Sequence, residues 1–173
     1  MLFRSMRKIT DWSKGLHWIV FSGLVCGVAT LAISLWGESP ALRSLADFSM
    51  ALFASLVAVS AVLHSLKFVV GRRRPRDDFE HGFYGAKPFS FDSAYDSFPS
   101  GHAMTIFCLG AVLSAAVPAL TPIWLLGASV LALTRAFLAA HFLSDVLIGA
   151  AMGLGGTALM MRALFPQLTP AWF

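Results

Sequence analysis

Charged residues are scarce in this chain of 173 residues: Asp, Glu, Lys and Arg make up 13% of it, whereas 57% of its residues are hydrophobic. Such a composition is not typical of a soluble globular domain. Cysteine is scarce as well. Cys26 and Cys108 both lie in apolar stretches, where a thiol behaves as a small hydrophobic group, so the sequence offers no disulfide framework and no thiolate metal site.

The apolar stretches are long enough to cross a membrane. Residues 16–36 contain no charged side chain, and a membrane-spanning helix needs about 20 apolar residues. A second uncharged stretch, 103–133, is long enough to cross twice, and Pro118 and Pro122 predict the turn between the two crossings. We therefore predict an all-α fold, a polytopic transmembrane helix bundle that forms a single domain over residues 1–173. Its five predicted spans are 16–36, 45–66, 101–117, 122–139 and 142–161.

The net charge of +4 does not indicate nucleic-acid binding, because the basic residues flank the apolar stretches, where they meet lipid headgroups. The expected partner is the bilayer. The only long polar segment is the predicted loop 67–100, which joins the second and third spans. We interpret most of its charged residues, Arg72 and Arg73 among them, as headgroup anchors on a solvated loop.

Three short motifs are exceptions to that interpretation. They are KFVVGRRRP, which contains Lys67 and Arg74; PSGH, which contains Ser100, Gly101 and His102; and TRAFLAAHFLSD, which contains Arg135, His141 and Asp145. Each motif adjoins a predicted span. Counting the crossings places all three on one face of the membrane.

Together these residues suit a phosphate group. Lys67 and Arg74 would supply fixed positive charge, and the guanidinium fork matches two phosphate oxygens. Ser100 and Gly101 stand at the start of the third span, where unpaired backbone N–H groups and the helix dipole attract anions. His102 follows them, and its imidazole can transfer a proton near neutral pH.

The third motif adds a candidate nucleophile. His141 and Asp145 are four residues apart, so on a helix their side chains lie on one face. A carboxylate bonded to one ring nitrogen would fix the tautomer and leave the other nitrogen free to attack, as in a catalytic triad. Arg135 could hold the same phosphate from the other side.

In residues and spacing, the three motifs resemble the signature blocks of the type-2 phosphatidic acid phosphatases, whose members include bacterial lipid phosphatases. The resemblance implies that His141 attacks phosphorus to form a phosphohistidine and that Asp145 orients it. It also implies that His102 protonates the leaving oxygen and then activates water. The remaining family positions would bind phosphate without a metal or other cofactor; they are Lys67, Arg74, Ser100, Gly101 and Arg135.

The chain departs from the family in two ways. Thr134 stands where the family usually has serine, which keeps a hydroxyl. Bacterial membrane members more often have six spans, and the helix missing here would precede the first motif. Residues 1–14 mix apolar and basic side chains and predict an interfacial helix in its place.

The expected function is therefore hydrolysis of the terminal phosphate of a lipid phosphate or diphosphate by a multi-pass protein of the bacterial inner membrane. Phosphatidic acid, phosphatidylglycerol phosphate, a polyprenyl diphosphate and a lipid A phosphate all stay open as substrates. A lipid phosphotransferase and a non-catalytic lipid-binding or transport protein are the alternatives. The positive-inside rule favours a cytoplasmic site, whereas the family resemblance implies the opposite face. The sequence leaves the oligomeric state open.

Overall fold

The computed structural model describes residues 15–75 and 85–170, and within these ranges the fold is an all-α bundle. The α-helices of the described ranges are α1 (Gly15–Trp36), α2 (Pro40–Val70), α3 (Gly101–Ala116), α4 (Thr121–Phe137) and α5 (Leu143–Leu164). Short 3-10 helices cover Ser93–Tyr95, Pro118–Leu120 and Pro166–Leu168. The predicted helix bundle is confirmed. The interfacial helix predicted for residues 1–14 lies outside the described residues.

Four segments of the described part are long and apolar enough to cross a membrane: α1, α2, Pro118–Phe137 and α5. The remaining helix, α3, has 16 residues and is the most enclosed, since ten of them are buried. It packs against α2, α4 and α5, whereas α1 packs mainly against α2. The leucines of α1 are largely exposed, as expected for side chains that face lipid. The bundle thus has a central short helix and a peripheral long one.

Helix α2 extends beyond the predicted span 45–66 at both ends. Ser39 caps its N-terminus by accepting a hydrogen bond from the Leu42 amide at 3.2 Å. Gly71 ends the helix in the left-handed conformation, with φ of +54°, and a β-carbon there would overlap the Lys87 carbonyl. Lys67, predicted to begin the loop, therefore lies in the last turn of α2.

The residues after Gly71 hold the rest of the polar loop by backbone hydrogen bonds. The Gly71 carbonyl accepts from the Lys87 amide at 2.7 Å, and the Arg72 carbonyl accepts from the Ser97 amide at 3.0 Å. The segment that leads into α3 is thus tied to the segment that leaves α2. This brings the first two sequence motifs together.

Two glycines of α5 allow α3 to pack closely against it. A β-carbon at Gly149 would lie 2.3 Å from the Ser100 carbonyl oxygen, and one at Gly153 would lie 2.4 Å from that of Met104. Both distances are too short for any side chain. The first turns of α3 and α5 therefore lie side by side, which places the second and third motifs at one end of the bundle.

Candidate active site

A cleft of about 480 Å³ opens among α1, α2 and the start of α3. Its polar lining includes five residues predicted from the sequence: Lys67, Arg74, Gly101, His102 and His141. Its apolar lining includes Leu16 and Ile19 of α1 and Leu63 of α2. The cleft therefore combines a cationic end with hydrophobic walls. Ser100 and Asp145 are fully buried behind it.

His141 is held rigidly from its buried side. Its side chain is 2% exposed, and Nδ1 lies 2.7 Å from the backbone carbonyl oxygen of Ser97. A carbonyl can only accept a hydrogen bond, so Nδ1 carries the proton. The neutral ring then has its lone pair on Nε2, the nitrogen required of a nucleophile.

The direct hydrogen bond expected between Asp145 and His141 is absent, because Asp145 Oδ2 lies 4.0 Å from His141 Nδ1. Ser97 links the two residues instead. Its hydroxyl donates to Asp145 Oδ2 at 2.6 Å, while its carbonyl accepts from the histidine. The Phe142 amide also donates to Asp145 Oδ2, at 2.9 Å. Asp145 therefore fixes the backbone on both sides of the imidazole without contacting the ring.

Arg72 completes this buried network, although the sequence suggested only a headgroup anchor. Its guanidinium donates to Asp145 Oδ1 at 2.7 Å and to the Ser144 hydroxyl at 2.9 Å. It also lies over the Phe142 ring, 4.0 Å from the centroid, in cation–π geometry. Both carboxylate oxygens of Asp145 thus have partners.

Burial, followed by the charges of Arg74 and Lys67, lowers the pKa of His141 to about 2, while its hydrogen bond to Ser97 opposes the shift. The charge of Arg135 acts in the same direction as the other two cations. His141 is therefore neutral at physiological pH. This agrees with the tautomer that the Ser97 carbonyl imposes.

Ser100 and Arg135, both predicted to contact phosphate, also take part in the local backbone structure. The buried Ser100 hydroxyl caps α3 and accepts from the Ala103 amide at 3.4 Å. The Arg135 carbonyl accepts from the amides of Ala140 and His141, so the backbone turns immediately after α4. Thr134, the variant position of the third motif, uses its hydroxyl within α4 on the Leu131 carbonyl.

His102 faces His141 across the cleft. The two ring centroids are 6.5 Å apart, and the planes are inclined by 54°. The rings are too far apart to stack tightly. They are close enough that a tetrahedral group between them could contact one ring on each side. His102 lies in the first turn of α3 and His141 lies two residues before α5, so the packing of α3 against α5 sets this spacing.

The sequence analysis did not identify Asp96, which lies between the two cations. Arg74 Nε donates to Asp96 Oδ1 at 2.8 Å, and Arg74 Nη2 donates to the same oxygen. Lys67 Nζ lies 3.8 Å from Asp96 Oδ2 and also donates to the Asp96 backbone carbonyl. A carboxylate therefore occupies the position between the cations that the motifs had suggested for phosphate.

These features define a helix bundle of membrane type with a cleft at one end that is lined by cations and histidines. The model of the PAP2 superfamily matches residues 48–168, which is more than half of the chain. The chain therefore belongs to the PAP2 superfamily. The resemblance to the type-2 phosphatidic acid phosphatases, drawn from three short motifs, is confirmed.

Two curated relatives match over 102 residues, or 59% of this chain. Both are named lipid A 1-phosphatase: one from Rhizobium johnstonii is 35% identical, and one from Rhizobium etli is 34% identical. The matched segment spans 42% and 44% of their lengths. The crystal structure of Aquifex aeolicus LpxE has a similar fold, with a TM-score of 0.50 and 18% identity over 93% of each chain.

Proposed function

We propose that this protein is a lipid phosphate phosphatase that works through a phosphohistidine on His141. The observation that carries the proposal is the orientation of that imidazole. Nδ1 is bonded to the Ser97 carbonyl, so the unprotonated Nε2 is left as the nucleophile in a ring that forms part of the cleft wall. Membership of the PAP2 superfamily and the names of the two relatives support the same reaction class.

In the first step, Nε2 attacks phosphorus, a P–N bond forms and the bond from phosphorus to the lipid oxygen breaks. His102, on the opposite side of the cleft, protonates the departing oxygen. In the second step, His102 takes a proton from water as its oxygen attacks phosphorus. The P–N bond breaks, orthophosphate leaves and His141 returns to its neutral tautomer.

Positive charge stabilises the phosphoryl oxygens in both steps. Lys67 and Arg74 would contact these oxygens, the Gly101 amide at the start of α3 would donate a hydrogen bond, and Arg135 would contribute through its field. Fixed cations can thus replace the metal clamp of other phosphatases. We therefore propose that the reaction is metal-independent, and activity that persists in a chelator would support this.

The hydrophobic walls of the cleft favour a lipid substrate. Leu16 and Ile19 of α1 border the same cleft as His141, so an acyl chain can lie along the peripheral helix while its headgroup reaches the cations. The relatives named lipid A 1-phosphatase make a lipid A phosphate the first substrate to test. We propose the bacterial inner membrane as the location.

The test is release of orthophosphate by the purified protein from lipid A 1-phosphate, phosphatidic acid, phosphatidylglycerol phosphate and a polyprenyl diphosphate. With no acceptor present, phosphate release identifies hydrolysis, and its absence with preserved transfer to an added lipid would identify a phosphotransferase. Binding of all these lipids with neither reaction would contradict the enzyme proposal.

The membrane face of the site can be tested separately. Basic residues near the site favour the cytoplasmic side. Ser93 is exposed in the polar loop that leads into α3. Cys26 and Cys108 are buried and can be replaced by alanine. In that background, a Ser93→Cys variant would be treated with an impermeant thiol reagent. If the cysteine reacts only after the cells are lysed, the site faces the cytoplasm. Labelling of intact cells would reverse it.

A further inference from the structure

We propose that Asp96 is a resident counter-anion that competes with phosphate for Lys67 and Arg74 and must turn away when substrate binds. This inference rests on the proposed phosphate site and extends it by a residue that none of the three motifs contains. It predicts weak binding of free phosphate and efficient release of the product.

Asp96 occupies the edge of the Arg74 guanidinium that a phosphate would use. Nε and Nη2 form the edge of the guanidinium that a phosphate would bind in a bidentate manner, and both donate to Asp96 Oδ1. Arg74 Nη1 lies 3.4 Å from the Ala140 carbonyl. A phosphate that uses the fork of Arg74 therefore has to displace the Asp96 carboxylate.

Asp96 also neutralises the charge of Lys67. Its ammonium lies 3.8 Å from Asp96 Oδ2, and its side chain is only 11% exposed. Charge buried in this way needs an anionic partner when the cleft holds no substrate, because unpaired buried charge is costly. Asp96 supplies the negative charge for the two cations when the cleft is empty. The phosphate would supply it when substrate is bound.

The mobility required of Asp96 fits its exposure. Its side chain is 38% exposed, whereas that of Asp145 is fully buried. Asp96 also lines the cleft, so open space lies beside its carboxylate. Its backbone carbonyl would remain hydrogen-bonded to Lys67 during this movement. The exchange thus needs a side-chain rotation and no rearrangement of the helices.

Orthovanadate is a suitable probe because it is an oxyanion like phosphate and can be measured without turnover. Asp96→Asn should bind vanadate about tenfold more tightly than wild type, since one competing charge is removed from a partly exposed site. Orthophosphate should likewise inhibit at lower concentration. Asp92→Asn is the matched control, because Asp92 lies in the same loop and pairs with Lys87 at 4.0 Å. Its vanadate affinity should match wild type.

Unchanged or weaker vanadate binding by folded Asp96→Asn would overturn the proposal and make Asp96 a positioning residue for the two cations. The two proposals can fail separately. If wild type hydrolyses no lipid phosphate but Asp96→Asn still binds vanadate more tightly, only the enzyme proposal fails. If wild type is active and the variant binds no more tightly, only the counter-anion proposal fails.

A measurement on wild type covers the case in which Asp96→Asn does not fold. Carbodiimide with an added amine modifies accessible carboxylates, and peptide mass spectrometry reports each site. Saturating vanadate should increase modification of Asp96 and leave that of Asp92 unchanged. Unchanged or reduced modification of Asp96 would show that its carboxylate stays in place and would overturn the proposal.

Discussion

The two sides of His141 differ in how firmly they are held. On the buried side, Ser97, Asp145 and Arg72 form a network in which both carboxylate oxygens are bonded and Ser97 and Asp145 are fully buried. On the open side, Lys67 and Arg74 are paired with a carboxylate that is 38% exposed. The first arrangement can keep one ring nitrogen in a fixed state. The second can exchange one anion for another.

The strongest test of this comparison is removal of the ring that the two sides share. His141→Ala should abolish lipid phosphate hydrolysis, because it removes the nitrogen proposed as the nucleophile. The protein should still fold and insert, which gel filtration in detergent would check. His17→Ala, on the exposed surface of α1, is the matched control and should retain full activity. Substantial turnover by His141→Ala would contradict the phosphohistidine mechanism.

Loss of the facing histidine should have the next largest effect. His102→Ala should reduce kcat/KM by roughly 100-fold to 10,000-fold for a lipid phosphate, the range for loss of a general acid or base. The reduction should be smaller for nitrophenyl phosphate, whose leaving group needs less protonation. Equal losses with both substrates would argue that His102 is not the proton donor.

Replacing Asp145 removes the carboxylate at the centre of the buried network. Asp145→Ala would remove the buried carboxylate that Arg72 contacts. We expect a loss of about 3 kcal/mol in the free energy of unfolding, near the low end for a broken buried pair because the Arg72 side chain is 22% exposed. Asp96→Asn should lose less, since water and ions in the cleft can reach its two cations. Denaturant titration of both variants in one detergent would measure the difference. Equal losses of unfolding free energy would contradict the proposal that the two sides of His141 are held differently.

A milder change on the buried side is Ser97→Ala. It keeps the carbonyl that accepts from His141 but removes the hydroxyl that donates to Asp145, so we expect a loss of about 1–2 kcal/mol in unfolding free energy. The His141 tautomer should survive, which nitrogen NMR of labelled histidine can show. A change of tautomer in Ser97→Ala would mean that the carbonyl alone does not fix the ring.

The smallest expected effect, when it is measured between about pH 7 and pH 6, is on the pH dependence of stability. His141 has a pKa of about 2 in the folded protein against 6.5 for an ordinary histidine, so below pH 6.5 the unfolded chain takes up a proton that the folded protein does not. The stability of wild type should therefore fall as pH decreases through this range. His141→Ala should lack that contribution. Identical pH slopes of unfolding midpoint for the two proteins would contradict a neutral buried His141.

The sequence predicted the helix bundle and the family because both depend on local patterns: apolar stretches of spanning length and three motifs with fixed spacing. It also singled out five of the residues that line the cleft, namely Lys67, Arg74, Gly101, His102 and His141, whose roles in binding and catalysis stay predictions. It could not predict the Ser97 carbonyl as the partner of His141, because every residue has a carbonyl and the contact crosses 44 positions of the chain.

Arg72 and Asp96 were missed for a related reason. Each lies among other charged residues of the polar loop, where composition alone favours a solvated surface. Their roles arise only when Gly71 ends α2 and the Ser97 amide bonds to the Arg72 carbonyl, which turns one charge toward Asp145 and the other toward the cleft. A charge count cannot distinguish such residues from the solvated charges of a surface loop.

The close contact of α5 with α3 at Gly149 has a consequence for how this site can vary. The Ser100 amide donates to the Asp145 carbonyl at 2.9 Å, one turn before that glycine, so backbone atoms hold the start of α3 against the start of α5. This direct contact between α3 and α5 sets the separation of the two histidines without relying on the turn at Pro118–Leu120. A side chain at Gly149 would push the two helix starts apart and so increase the distance between His102 and His141.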